Sequence, residues 1–467
     1  MIQVIFFIIK TLQIFLWEYM KYLFTKDYVV FIHNVAQKLS RENILYVKVF
    51  QAIALNKYSI NETINNELIR FADKSPYTHD DINIELLEKI SREYNLIGDI
   101  YAPINSGMIS LVYKMKKVHC YGIAVDDVII KVKRNDIDAK LDKAITNLLS
   151  CVAFFSFFER YIPILDIFSI NKTIKKNIHV IRQQLDFDEE VSNMKRMKEN
   201  CKHMPHIFIP LVYEEVTREN KDAIMMEYIN GVSILQVSPE DYDIYAKMVT
   251  KFGFACLLNY GFAHGDLHSG NILFIKEYEY GDGNGDGNGD GHGDGDGDGD
   301  NKGKNRSPIY KLGIIDFGIM ITLGHEFKNK MLNICVKFFD VPSRETATDL
   351  FSTIIQPKEA KYMLDEEHYE NIIAMFAKCI DEAFFKSKTK NPDQTQIYML
   401  FNELNTYMTA NDLKKYGLSI SDDFVNLQVA LAMGQGVTLR LAKNRFNSII
   451  DESIKEMFHT DLFLDAN

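Results

Sequence analysis

The sequence predicts an α+β fold of two lobes, a strand-rich small lobe and a mainly helical large lobe, with a helical extension in front. Two observations carry this reading. First, the hydrophobic period changes along the chain: apolar residues recur every three to five positions up to about residue 95, then give way to short β-branched runs. Second, two polar signatures each sit beside an apolar run: His264-Gly265-Asp266-Leu267-His268-Ser269-Gly270-Asn271, and later Asp316-Phe317-Gly318. One Asp or Asn in a Gly-containing loop is ordinary turn chemistry. Two in this order, each at a strand end, ask for a further explanation.

The extension covers residues 1–95. Ile2 to Trp17 is strongly apolar but short for a membrane span of about 20 residues. On a helix, Gln3, Lys10, Gln13 and Lys21 form a narrow polar stripe opposite Val4, Ile5, Ile8, Leu12, Phe15 and Leu16. Such a helix either lies in a membrane interface or packs on the domain behind it. Ile32, Val35, Leu39, Ile44, Val47 and Phe50 continue the helical pattern.

Residues 96–230 form the small lobe. Ile109–Tyr113 and Val128–Val132 read as strands, residues 136–200 turn helical, and Ala223–Tyr228 is a strand before the Asn230-Gly231 turn, where a hinge falls. The large lobe is residues 231–467. A helix over 240–263 delivers the His264 loop, Ile272–Ile275 and Ile309–Ile315 form a hairpin, and the remainder is mainly helical, with a long segment from Asp423 to Phe458. Between the two hairpin strands, Gly alternates with Asp, Asn or His from 281 to 300. A segment without apolar side chains cannot bury anything, so 281–307 is expected to be a disordered insert at a hairpin tip, where added length costs little.

The net charge is −11. Seven of those charges are the aspartates of the insert, leaving a body near −4 that gives nucleic acid no electrostatic reason to bind. Six scattered cysteines show no CxxC pair and no zinc spacing, which implies reduced thiols.

The two signatures have the chemistry of phosphoryl transfer from ATP, which needs a positioned hydroxyl or water and Mg²⁺ on the phosphates. Asp266 can take a proton as the catalytic residue; Asn271 and Asp316 supply the hard oxygen ligands Mg²⁺ prefers. Together they predict a protein kinase-like fold. Lys131, in Ile129-Ile130-Lys131-Val132, suits the phosphate-binding lysine on a strand. Its carboxylate partner is expected from Asp186-Phe187-Asp188-Glu189-Glu190, with Glu190 assigned; the plain alternative is a solvated helix face. Ser106 and Gly107, in a turn with a single glycine, are assigned to the nucleotide, as is Glu227 before the hinge. No Ala-Pro-Glu follows Gly318, so the platform that holds peptide substrates is missing.

HGDLHSGNIL with IIDFG resembles both the aminoglycoside and choline phosphotransferases and the UbiB (AarF-domain) atypical kinases. Upstream pieces favour the second family. Lys48-Val49-Phe50-Gln51 resembles its KxGQ motif, Gln184 to Asn193 resembles its ELDFxxEAxN segment, and Ile104–Tyr113 resembles its Ala-rich loop. The resemblance covers roughly residues 45–325. It implies an extra helical layer over the active site, with Lys48 and Gln51 as the occluding pair at the nucleotide. It also implies ATP and Mg²⁺ as cofactors, ATPase or atypical kinase activity, and support of ubiquinone or other isoprenoid-lipid metabolism at membranes, commonly mitochondrial, with a cytoplasmic location as the alternative. Phe50 departs from the Gly of KxGQ, Gln184 from the Glu of the acidic pair, and Asn105-Ser106-Gly107 from the alanines. A small-molecule phosphotransferase and a nucleotide- or lipid-binding pseudokinase scaffold are the competing functions.

Overall fold

The computed structural model describes residues 2–46, 75–118, 125–158, 178, 181–278, 308–337, 342–384, 404, 406–408, 410–442 and 445–459. The Gly/Asp insert 281–307 and the Lys48–Gln51 segment therefore lie outside the described residues.

The chain opens with an antiparallel helical pair, α1 (Ile2–Thr25) and α2 (Tyr28–Glu42). Asp27 caps α2 by accepting the Val30 N–H at 3.0 Å, a contact worth about 1 kcal/mol. α1 is apolar over much more of its circumference than one packed face can cover. Phe7 and Ile8 turn inward, with Phe7 stacked near Tyr46, and Phe15 meets Phe31 edge-on at 5.8 Å. Phe6, Leu16, Trp17 and Phe24 stay 60–84% exposed. Ile8 therefore belongs to the packed face and not to the outward one. The only acid on α1, Glu18, is turned inward and is 1% exposed. There it meets Lys38 at 2.6 Å and Asn34 at 3.2 Å.

The small lobe is an antiparallel sheet in the order β1 (Leu96–Ile97), β3 (Ser110–Val118), β4 (Val125–Lys133), β6 (Ala223–Glu227), with β2 (Asn105–Ser106) also paired to β3. Alternation along β3 and β4 puts Leu111, Tyr113, Met115, Val128, Ile130 and Val132 on one face, covered by Leu87 and Ile90 of α3 (Ile84–Glu93). The other face carries Lys131 toward the large lobe. The register Lys131↔Ile224 and Val112↔Lys131 fixes that side chain in the central strand. α4 (Ile137–Phe158) and α5 (Phe187–Asn200) follow β4.

In the large lobe, α7 (Tyr242–Leu258), which follows the short α6 (Glu214–Glu219), runs through the core. The helix expected over 240–263 stops at Leu258. Gly261 takes a positive φ of 57°, and Phe262–His264 forms strand β7 instead. That strand pairs with β10 (Met320–Thr322), a short strand at the start of the otherwise mainly helical remainder. Gly265 is required at this point: a Cβ there would lie 2.8 Å from Ile319 Cγ2. The hairpin β8 (Ile272–Tyr278) and β9 (Pro308–Ile314) forms as expected, its register running from Ile272↔Ile314 to Tyr278↔Pro308. β5 (Ile207–Phe208) joins β9 in parallel.

Helices α8 (His325–Lys337), α9 (Ser343–Ile354), α10 (Ala360–Met363) and α11 (Glu366–Phe384) follow, with the short antiparallel pair β11 (Ile355–Gln356) and β12 (Ser419–Ile420). The long C-terminal segment is two helices, α12 (Asp422–Ala442) and α13 (Phe446–His459), both packed on α7.

Candidate functional site: a cleft between the lobes

The sheet and the hairpin face each other across a cleft of about 860 Å³. Its described lining includes Gly107, Lys131, Gln184, Glu190, Glu227, Asp266, His268, Asn271 and Asp316.

α5 explains how the acidic run is used. Asp186 caps it by accepting the Glu189 N–H at 3.0 Å, and three acids in the first turn suit the positive end of the helix dipole. Asp188 and Glu189 are exposed, while Glu190, 1% exposed, points inward. Glu190 Oε1 accepts from Lys131 Nζ at 2.6 Å and from the Phe317 N–H at 3.3 Å. Lys131 also meets Asp316 Oδ1 at 3.1 Å. Burial works against the Lys131 ammonium, but the charges of Asp316 and Glu190 outweigh it and raise its pKa above the ordinary lysine value. Burial raises the Glu190 pKa despite Lys131. Burial pushes Asp316 the same way, yet the Lys131 charge and the Gly318 N–H overcome it and leave its pKa below the usual range.

Asp316 sits at φ 65°, the left-handed region that Asp tolerates better than most residues. Its Oδ1 takes Lys131 and the Gly318 N–H; Oδ2 has no partner among the described residues. Asn271 closes the His264 loop: its Nδ2 donates to Asp266 O at 2.9 Å. That bond leaves Asn271 Oδ1 as an acceptor with no protein donor among the described residues. One carboxylate oxygen and one amide oxygen thus remain open, a set that suits a hard dication completed by phosphate oxygens and water. No cluster of three or more His, Cys, Asp or Glu that could hold a metal by itself occurs among the described residues. Asp266 is 9% exposed and lies beside His268, whose Nε2 is 3.9 Å from Asp266 Oδ2.

The cleft therefore brings together Lys131, Glu190, Asp266, Asn271 and Asp316. Glu227 lines it too, although its Oε2 accepts the Leu211 N–H at 3.1 Å. Gly107 lines the roof, in a turn closed by its N–H to Ser110 O at 2.8 Å. Ser106 does not face the cleft. It is 1% exposed and its Oγ donates to Ser75 O, because alternation along β2 turns it to the opposite side from Asn105. Lys48 and Gln51 lie outside the described residues.

Three contributors escaped the sequence reading. His264 Nδ1 accepts the Asp266 N–H at 3.1 Å, and Nε2 donates to Asp316 O. Asn193 Nδ2, one turn beyond Glu190, donates to Phe317 O at 3.1 Å. Arg440, on α12 far along the chain, lines the same cleft. The first two stand inside motifs already quoted, so their placement was within reach of the sequence. Arg440 has no local signal.

Comparison with known proteins places the chain by sequence. The "Probable protein kinase UbiB" of Shewanella pealeana is 24% identical over 244 residues, 50% of this chain and 42% of that protein. The "Probable serine/threonine-protein kinase abkB" of Dictyostelium discoideum is 25% identical over 252 residues, 50% of this chain and 35% of that protein. The matched stretches thus span less than half the length of these relatives. A solved Mycobacterium tuberculosis chain, described as the complex of Rv3197 with erythromycin, is similar over 88% of this chain and 91% of its own, at 15% identity and a TM-score of 0.44. The family model of the ABC1 atypical kinase-like domain matches residues 82–349, a stretch that runs from α3 through both signatures to α9 and takes in more than half of the sequence. The chain belongs to the ABC1 atypical kinase-like family.

Proposed function

We propose that the chain binds Mg-ATP between its lobes and passes the terminal phosphoryl group to a small or lipid-like acceptor, or to water, in support of ubiquinone or another isoprenoid lipid at a membrane surface. The observation that carries the reading is the Lys131 ammonium held between Glu190 and Asp316, with Asp266 and Asn271 in the same cleft. Lys131 would grip the nucleotide phosphates and Glu190 would hold it in place. Asn271 Oδ1 and Asp316 Oδ2 would hold Mg²⁺, which when bound neutralises charge on the phosphates. Asp266 would orient the acceptor hydroxyl and take its proton. The missing Ala-Pro-Glu platform supports an acceptor smaller than a peptide.

The membrane part of the reading is supported by α1. No helix among the described residues is long and apolar enough to cross a bilayer. A helix with Ile5, Phe6, Ile9, Leu16, Trp17 and Phe24 outward and its one acid inward suits the plane of a lipid interface instead.

The test is ATP turnover with Mg²⁺ by the wild type and Asp266→Asn, with co-sedimentation on anionic phospholipid vesicles run in parallel. Turnover should fall by about 10²-fold or more in the variant. Equal turnover in both sinks the role of Asp266. Wild-type protein that stays in the supernatant, as a Phe6→Glu/Leu16→Glu variant should, sinks the membrane reading alone. Phosphorylation of choline or an aminoglycoside by the wild type would favour the small-molecule alternative.

A further inference from the structure

The cleft is rich in carboxylates: Glu190, Glu227, Asp266 and Asp316 all line it. Its lysines and arginines, among the described lining residues, are Lys131 and Arg440. Lys131 is already committed to Glu190 and Asp316. Arg440 makes no hydrogen bond or ion pair among the described residues.

That is unusual for its surroundings. Among the described residues, the neighbouring cations at this end of α7, α12 and α13 have carboxylates. Arg445 holds Asp243 and Glu452, Lys247 meets Glu452 at 2.7 Å, and Lys251 holds Glu456. Lys276 on β8 meets Asp241 at 2.9 Å.

The helix that presents Arg440 is firmly seated. Val437, Thr438, Leu441 and Ala442 are all at most 5% exposed. Thr438 Oγ1 lies 3.2 Å from Thr250 Oγ1 of α7. One turn before Thr438, Gly434 places α12 beside the His264 loop: a Cβ there would be 3.7 Å from Leu267 Cδ2, an ordinary van der Waals contact next to Asp266. An exposed arginine on this anchored helix has a fixed starting point and a free planar fork of donors, the geometry that pairs with carboxylate and phosphate. A like-charged cleft repels an anionic second substrate unless a cation is set aside for it.

We propose that Arg440 recognises an anionic group, carboxylate or phosphate, on the phosphoryl acceptor, so that the acceptor class is a hydroxyl compound carrying a negative charge. The proposal rests on the reading of the cleft as a phosphoryl-transfer site. The same chemistry could come from the nucleotide's own phosphates, and the experiment separates the two sources.

Full-length wild type, Arg440→Gln and Arg440→Lys are titrated by calorimetry with Mg-ADP, and then, loaded with Mg-ADP, with glycerol 3-phosphate, glycerate and glycerol. The wild type should bind the two anions at least tenfold more tightly than glycerol. Arg440→Gln should abolish that preference, and Arg440→Lys should restore part of it, with Mg-ADP affinity within about twofold throughout. Equal binding of anions and glycerol by the wild type overturns the proposal. So does a tenfold loss of Mg-ADP affinity in Arg440→Gln, which would give the arginine to the nucleotide. A wild type that binds the anions but no Mg-ADP would refute the nucleotide reading and leave the anion site standing. Thermal melting of the three proteins, expected to coincide because Arg440 is exposed, guards against a folding artefact.

Discussion

The Nε2–H of His264 donates to the carbonyl of Asp316, so one imidazole joins the two signatures that are 52 residues apart in sequence. Its other nitrogen accepts the Asp266 N–H. Both bonds require the neutral ring, protonated on Nε2 alone. Burial favours that state and lowers the His264 pKa, although the Asp316 and Asp266 charges work the other way.

The first prediction follows from linkage. The folded pKa of His264 lies below the unfolded value of about 6.5, so between the two the unfolded chain binds more protons and stability falls with falling pH. The contribution is present above about pH 6.5 and lost below it, by at most about 1.4 kcal/mol per pH unit. Glu190, whose pKa is raised, acts with the opposite sign. Urea unfolding at pH 7.5 and 5.5 should therefore be compared between wild type and His264→Gln, and the wild type should lose more on acidification. Identical losses would mean that the ring is not buried neutral.

The second concerns the ion pair. Lys131→Met should weaken ATP binding at least tenfold and also destabilise the fold, because Glu190 and Asp316 are left facing each other without a cation. Breaking a buried pair in this way costs about 3–5 kcal/mol. Paired removal in Lys131→Met/Glu190→Gln should recover part of the stability but none of the binding. A double variant no more stable than the single one would show that the pair is not coupled.

The third concerns the metal. Asp316→Asn keeps the shape but removes the anionic ligand, and it should cut Mg-ATP affinity by tenfold or more while changing metal-free ATP affinity little. Titration of nucleotide with and without Mg²⁺ reads both. An unchanged Mg²⁺ dependence would refute the assignment.

The fourth concerns the insert. Tyr278↔Pro308 closes the β8–β9 ladder on the core side of it. Deleting Gly281 to Asp300 should leave the melting temperature within about 1 °C, since the deleted stretch has no apolar group to bury. A drop of several degrees, or a calcium-dependent rise in the intact chain, would contradict this.

The parts of the fold most legible in the sequence were those with a strict local code. Val128–Val132 is a short β-branched run and is a buried strand; Asp316-Phe317-Gly318 follows the strand expected over Ile309–Ile315. The Asp186–Glu190 run was ambiguous in sequence, since an acidic first turn looks alike whether solvated or not. Only the position of Lys131, 2.6 Å away on the central strand, selects Glu190. Ser106 misled because a turn beside a glycine suggests nucleotide contact, whereas strand pairing sends alternate side chains to opposite faces. The end of the helix at Leu258 was hidden by apolar residues that serve helix and strand equally, with only Gly261 as a cue. Arg440 was invisible because its meaning lies in α12 packing beside Leu267, a contact between residues more than 160 positions apart.

Trp17 is the single tryptophan among 467 residues, and it stands 61% exposed on α1, away from both lobes' cores. The indole emission of this protein is thus a reporter for one helix, while most of its 24 tyrosines lie outside the N-terminal helical pair and report on the rest of the chain. Excitation at the red edge would follow the N-terminal helical pair alone. A melt recorded in that channel would be blind to the cleft between the lobes, and the same melt read through tyrosine would not. Two optical channels already built into the chain can therefore time the loosening of the N-terminal helical pair against the unfolding of the lobes, without a label.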